Sequence, residues 1–417
     1  MEQGGGPTRM APRRRRDSQQ WILDWLVKTT GRVQNFANDE RTVPHGVKSY
    51  RMIPRTMYRV ARHQEDLARA AAQRGHAETA AALYWQACQT YREAQHAIFE
   101  DDNPEKTFLY ERCVACYGKV VSLTGAPVEA VEIPWEGVRI AALFHRAPAP
   151  HPLPAVLFIP GMDMTKEAAP HPLQNPFTRR GLHVLVMDGP GQGQSNLRKI
   201  RVTHDNYERA ARACIDYLAQ RPDVDRDRIG VCGTSFGSHW GPRLAAVDDR
   251  VRALATTHAV HGSKRAIFEE ASPRFKQMFM YMAGLTDEEE FDRMAEAMCD
   301  DEHARLVRCP TLLVAGEYDP LCHLEDVLAF YEKLGGPKEL WVFEDEFHRV
   351  SGRDGIAGLE IYPFLADWLG DALAGRLPDD LRKMVLVRQQ DGIGPYGPSV
   401  RTLLIPGRDG RPPTGPG

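Results

Sequence analysis

Gly233-Thr234-Ser235-Phe236-Gly237 sets a serine between two glycines directly after the apolar run Ile229–Cys232. A serine so placed fits a sharp strand-to-helix turn. Small residues two before and two after let the backbone close, the hydroxyl rises above the sheet, and the next helix aims its N-terminus at the reacting carbonyl. The five-residue pattern alone recurs by chance; its place between a strand and Trp240-Gly-Pro-Arg-Leu-Ala-Ala246 gives it weight. A serine hydroxyl is a weak nucleophile near neutral pH, so it needs a base, and the base needs an acid to fix its tautomer. Downstream, the apolar strand Thr311–Ala315 runs into Gly316-Glu317-Tyr318-Asp319-Pro320. Asp319 is the expected acid, with Glu317 the competitor, because Asp-Pro after Gly-x-x suits the loop that carries the acid. His348, in a loop after the strand Glu339–Phe343, is the expected base. An oxyanion needs two preorganised donors, each worth about 3 kcal/mol. The backbone N–H of Phe236 supplies one, and Met162, in the Pro160-Gly161-Met162-Asp163 loop after the strand Ala155–Ile159, supplies the other.

Other chemistry-bearing residues read more plainly. Asp188-Gly-Pro-Gly-Gln-Gly-Gln-Ser195 has three glycines but no Lys-Ser/Thr after them, so it reads as a structural turn and not a phosphate cradle. His258 and His261 end a strand in Thr257-His-Ala-Val-His261; without a carboxylate motif they are read as pocket lining, with a purely structural role the alternative. Glu269, beside Glu270, is a candidate anchor for a polar substrate group, against a solvated helix face. Cys113-Val-Ala-Cys116 has no second Cys pair and no His partners, so both are expected to be buried structural thiols. No metal site and no cofactor is assigned.

The elements that must position these residues follow from periodicity. Residues 18–125 read as helical, through Met57–Leu67 and Ala80–Phe99 with a break at Gly75, then Lys106–Leu123. The middle has the texture of one tetratricopeptide helix pair, too few to form an array. Val128–Ile133 and Val138–Phe144 form a hairpin. Apolar strands then alternate with helices through Ala155–Ile159, His183–Met187, Arg228–Cys232, Val251–Thr257, Thr311–Ala315 and Glu339–Phe343. The helices are read at Pro176–Arg180, Tyr207–Gln220, Phe236–Ala246, Leu324–Leu334 and Ile356–Leu373, which gives a mostly parallel sheet covered on both faces. The division is 126–257 and 309–381 for the core, interrupted by a strand-free helical lid at 258–308. Residues 1–17 form a leader carrying Arg13–Arg16, and 382–417 form a Pro/Gly-rich tail, extended or disordered.

The chain has 417 residues, 42% of them apolar, and a net charge of −3, which gives no electrostatic reason for a nucleic-acid partner. No stretch reaches the roughly 18 apolar residues that span a membrane. Eight cysteines without a signal-peptide pattern at the N-terminus lead to an expectation of reduced thiols and a cytoplasmic location.

From about residue 20 to 376 the pattern resembles the α/β-hydrolases that include 2,6-dihydroxypseudooxynicotine hydrolases, fungal yellowish-green polyketide-shortening hydrolases and FrsA-like esterases. The resemblance rests on the helical N-terminal region, Pro160-Gly161-Met162-Asp163, Asp188-Gly-Pro-Gly-Gln-Gly, the turn at Ser235, and Asp319 and His348 in register. Ser238 departs from it, standing where many relatives have a glycine. It implies an α/β-hydrolase fold with an N-terminal helical domain and an internal helical lid, and a homodimer. It also implies cleavage of a C–C bond beside a ketone, or of an ester, in a bulky small molecule. Acyl transfer, cyclisation or thioester cleavage in natural-product assembly is the alternative on the same three residues.

Overall fold

The computed structural model describes residues 47, 49–162, 164–350, 356 and 359–388, together with short strands at 32–33, 41–42 and 392–395. The leader and Asp163 lie outside the described residues.

Two short strands, β1 (Arg32–Val33) and β2 (Arg41–Thr42), pair antiparallel where the sequence reads as helical. Three long helices follow: α1 (Ile53–Gln73), α2 (Ala77–His96) and α3 (Pro104–Thr124). Gly75, at φ 76°, turns the chain between the first two. Asn103 caps α3 by accepting the Lys106 N–H at 3.1 Å, and Pro104 sits in its first turn. Fully buried alanines at 61 and 68 on α1, and at 80, 87 and 94 on α2, repeat every two turns, so one small face per helix allows close packing. These helices have their own core, with Tyr84, Tyr91, Leu109 and Tyr117, and Cys88 meeting Cys113 at 3.5 Å Sγ to Sγ.

The main sheet runs β12-β11-β10-β9-β8-β7-β5-β6-β4-β3. Its members are β3 (Val128–Trp135), β4 (Val138–His145), β5 (Leu153–Ile159), β6 (His183–Met187), β7 (Val224–Thr234), β8 (Val251–Thr257), β9 (Thr311–Gly316), β10 (Lys338–Phe343), β11 (Arg382–Arg388) and β12 (Gly392–Pro395). From β6 to β11 the neighbours are parallel; β3, β4 and β12 are antiparallel. Every residue of β5, β6 and β9 is buried, as expected of strands covered on both faces. Between β6 and β7 lie α4 (Gly193–Leu197) and α5 (Tyr207–Gln220), and α6 (Phe236–Val247) follows β7. The insertion before β9 holds a π-helical turn (Ala266–Glu270), α7 (Pro273–Ala283), α8 (Glu288–Glu296) and α9 (Asp301–Leu306). It packs Phe268, Phe279 and Phe291 together, with Phe279 4.8 Å from Phe236 at the start of α6. Then come α10 (Leu324–Lys333) and α11 (Ile361–Leu373). One sheet face packs on α5, α6 and α10, the other on α11.

Three readings are corrected. The sheet continues past Leu381, because Val385, Leu386 and Val387 bury themselves beside β10; the Pro/Gly content that marked a tail begins after this strand. The helix read at Pro176–Arg180 is a single 3-10 turn, Thr178–Arg180. The last helix starts at Ile361.

Candidate active site

Ser235 caps α6 at φ 53°, ψ −121°, a strained conformation for a residue with a side chain. Both flanking glycines are dictated by close approach. A Cβ on Gly233 would lie 2.2 Å from the Gly237 carbonyl oxygen, and one on Gly237 would lie 2.1 Å from that of Ile159. The Ser235 N–H donates to Thr257 O at 2.9 Å, tying the turn to β8. Ser238 accepts the Val260 N–H on its Oγ at 2.7 Å.

Ser235 Oγ is 2.9 Å from His348 Nε2, and His348 Nδ1 is 2.8 Å from Asp319 Oδ2. Asp319 is held in turn by the Leu321 N–H at 2.8 Å. An ionised carboxylate only accepts, so the imidazole proton lies on Nδ1 and Nε2 offers its lone pair to the serine. Glu317 instead accepts the Asp345 N–H at 3.2 Å, bracing the next loop. A Cβ on Gly316 would lie 2.1 Å from Phe347 O, so a glycine there lets the loops of Asp319 and His348 close.

The loop after β5 reaches the serine: a Cβ on Gly161 would stand 3.0 Å from that of Ser235. Gln192, in the glycine turn, donates to Gly161 O at 2.6 Å. Its Oε1 accepts the Gly189 N–H at 3.1 Å and the Tyr207 hydroxyl at 2.6 Å, and Tyr207 stacks on Trp240 of α6 at 3.7 Å. The glycine turn therefore braces the loop that carries Met162. Met162 lines the cavity beside Ser235, and Phe236 is buried at the start of α6.

Above Ser235 and His348 opens a cavity of about 650 Å³. Met57, Trp85, Arg92 and Glu93 of α1 and α2 wall one side; the stretch from Met164 to Phe177 and Phe275 of α7 wall others. His258 lines it next to Thr234 and Tyr362. Burial above all, and then His348 and Arg349, hold the His258 pKa well below its ordinary value, so the ring is neutral at pH 7. His261 and Glu269 are not brought to this cavity. His261 is buried against Asp300, Nδ1 to Oδ2 3.1 Å, and stacks on Phe330 at 4.0 Å; the chain turns inward at Gly262, whose N–H donates to Asp300 at 2.8 Å. Glu269 lies 3.6 Å from Arg265 on its own turn.

Sequence reasoning missed Trp85, Arg92 and Glu93, which reach the site only through packing of distant helices. It also missed Tyr110 of α3. The Tyr110 hydroxyl lies 3.0 Å from Glu167 and 2.9 Å from Asp188, with Lys166 Nζ 2.7 and 3.1 Å from the same two carboxylates. This buried cluster joins the helical region to the glycine turn. The signal that could have found it was an aspartate opening a glycine-rich turn.

A model of the esterase FrsA-like family matches residues 37–296, more than half of the chain. The chain belongs to the FrsA-like esterase family. It is an α/β-fold hydrolase. The matched span contains Ser235 and ends before Asp319 and His348, so those two stand on geometry. This FrsA-like chain is 28% identical over 288 residues to the 2,6-dihydropseudooxynicotine hydrolase of Paenarthrobacter nicotinovorans, covering 67% of this chain and 74% of that one. It is also 28% identical over 249 residues to the α/β hydrolase gkaG of Penicillium citrinum, covering 56% and 57%. A solved 2,6-dihydroxy-pseudo-oxynicotine hydrolase shares the fold at a TM-score of 0.69 and 24% identity, over 88% of this chain and 99% of that one. Among the described residues, no helix is long and apolar enough to cross a membrane.

Proposed function

We propose that this hydrolase works through Ser235 as nucleophile, His348 as base and Asp319 as the group that orients His348, on a bulky, partly aromatic or polyketide-like small molecule. The observation that carries the proposal is the continuous hydrogen-bonded chain from Asp319 through His348 to Ser235, opening into a cavity of about 650 Å³. Trp85, Phe158, Phe177, Phe275 and Tyr362 on its walls favour an aromatic guest. The bond cleaved is a C–C bond beside a ketone, as in a β-diketone or acyl-phenol, or an ester.

In the first step His348 takes the Ser235 proton as Oγ attacks the carbonyl. The N–H groups of Phe236 and Met162 receive the oxyanion. Collapse expels an enolate or alkoxide, which takes the proton from His348, and water then releases the acid from Ser235 by the reverse proton path. Asp319 stabilises the transient imidazolium and stays ionised. The proposal includes a cytoplasmic homodimer with no nucleic-acid partner, and light scattering at twice the chain mass checks the dimer. Turnover of benzoylacetone and of p-nitrophenyl acetate tests the bond class. Measurable cleavage of the diketone supports the C–C branch; hydrolysis of the small ester with none of the diketone overturns that branch and leaves the ester. Acyl transfer is distinguished by partition of the acyl-enzyme between water and added alcohols.

A further inference from the structure

His258 holds a left-handed backbone, φ 55°, without being glycine, a conformation kept only where its surroundings enforce it. It directly follows β8, whose Thr257 pairs with Thr234 next to the serine, and its ring lies 5.8 Å from that of His348. It is 8% exposed and lines the cavity. Its Nδ1 is 2.7 Å from Thr234 Oγ1, and the Tyr362 hydroxyl donates to that same oxygen at 3.2 Å. Its Nε2 is buried with no hydrogen-bond partner among the described residues.

These contacts accommodate the tautomer on which the proposal rests: Thr234, accepting from Tyr362, gives its one hydroxyl proton to His258 Nδ1. The imidazole proton then resides on Nε2. A buried N–H without an acceptor is costly, and such a group at a site wall marks a place where a ligand oxygen belongs.

We propose that His258 Nε2–H donates to the second carbonyl oxygen of a β-diketone, the oxygen that becomes negative as the C–C bond breaks. The inference rests on the C–C branch of the function proposed above and names a group specific to that branch. As the Ser235 adduct collapses, the bond between the acyl carbon and the α-carbon breaks and its electron pair moves into the α-carbon and second carbonyl. The developing enolate is held at oxygen by His258 and protonated at carbon by His348, which carries the proton from Ser235. Water then hydrolyses the acyl-serine, giving one carboxylic acid and one ketone. An aryl ester has no second carbonyl in its leaving group, so its cleavage does not call on His258.

The test compares wild type, His258→Phe and His258→Asn on benzoylacetone and p-nitrophenyl acetate. Phenylalanine keeps a ring and loses the donor; asparagine keeps a donor and tolerates positive φ. With removal of one oxyanion donor as the guide, kcat on the diketone is expected to fall about 100-fold in His258→Phe, at least about 10-fold more than any fall on the ester. His258→Asn is expected to recover part of the diketone loss. The ester rate also reports whether each variant is folded. Parallel loss on both substrates in His258→Asn, or no loss on the diketone in His258→Phe, overturns the inference while leaving the serine hydrolase reading intact. Wild-type enzyme that cleaves the ester but not the diketone overturns the C–C reading and this inference with it.

Discussion

The turn around Ser235 and the helical region α1–α3 serve one cavity and are built on opposite principles. At the turn almost nothing can change: Gly233 and Gly237 approach backbone oxygens to within 2.2 and 2.1 Å of where a Cβ would stand. Backbone closure specifies residue types at fixed spacing there. In α1–α3 the constraint is a small face every seventh residue, which many sequences meet, and the cavity contacts Trp85, Arg92 and Glu93 are set by how that bundle docks. The turn at Ser235 is thus specified locally in the chain, whereas the cavity wall formed by α1 and α2 is assembled at long range.

The comparison can be sharpened on its chemical side first. Asp319→Asn is expected to lower kcat about 10⁴-fold, as loss of the tautomer-fixing acid does in comparable enzymes, with little change in melting temperature. Glu317→Gln, at the carboxylate that accepts the Asp345 N–H, is expected to stay within about 10-fold; a reversed ranking would move the acid to Glu317. On the docking side, Tyr110→Phe removes the hydroxyl between Glu167 and Asp188 and is expected to cost about 1–3 kcal/mol in denaturant unfolding. An unchanged midpoint would mean that the helices dock without this cluster.

Stability against pH probes both regions together. Burial pushes His145, 3.3 Å from the Tyr117 hydroxyl of α3, down to about 3, and does the same to His239 on α6. Both start from 6.5 in the unfolded chain, so between pH 6.5 and 3 the unfolded state binds more protons. Their contribution is full above pH 6.5 and is lost as pH falls, by about 1.4 kcal/mol per unit per group. The melting temperature is expected to drop from pH 6.5 to 4.5, and less steeply in His145→Gln; a flat profile would contradict neutral burial. The smallest effect is on selectivity. Trp85→Ala is expected to raise KM for benzoylacetone about 5-fold and leave the small ester near wild type, since lost apolar contact is worth only a modest factor.

The same contrast explains what the sequence made legible. Alternating apolar strands and helices carry the fold, and Ser235, Asp319 and His348 sit at strand ends, where period and order locate them. Three hydrogen-bonded residues separated by long spans of chain could be picked out because each lies in the turn or loop after a strand of one parallel sheet. Trp85 and Arg92 carry no such mark, since a helix residue facing a cavity looks like one facing a core. His258 and His261 show the limit directly: three residues apart, one lines the cavity and the other is drawn to Asp300 by a turn at Gly262. The strand Arg382–Arg388 was hidden by the Pro/Gly composition that follows it, although Val385–Val387 is as apolar as any core strand.

The central claim is that Ser235 is the nucleophile activated by His348. Its most direct test is reaction with a fluorophosphonate followed by peptide mass spectrometry on wild type, His348→Ala and Ser235→Ala. The expected result is one adduct on Ser235 in wild type, formed far more slowly in His348→Ala and absent in Ser235→Ala. An adduct on another residue, or equal labelling of all three proteins, would contradict the account.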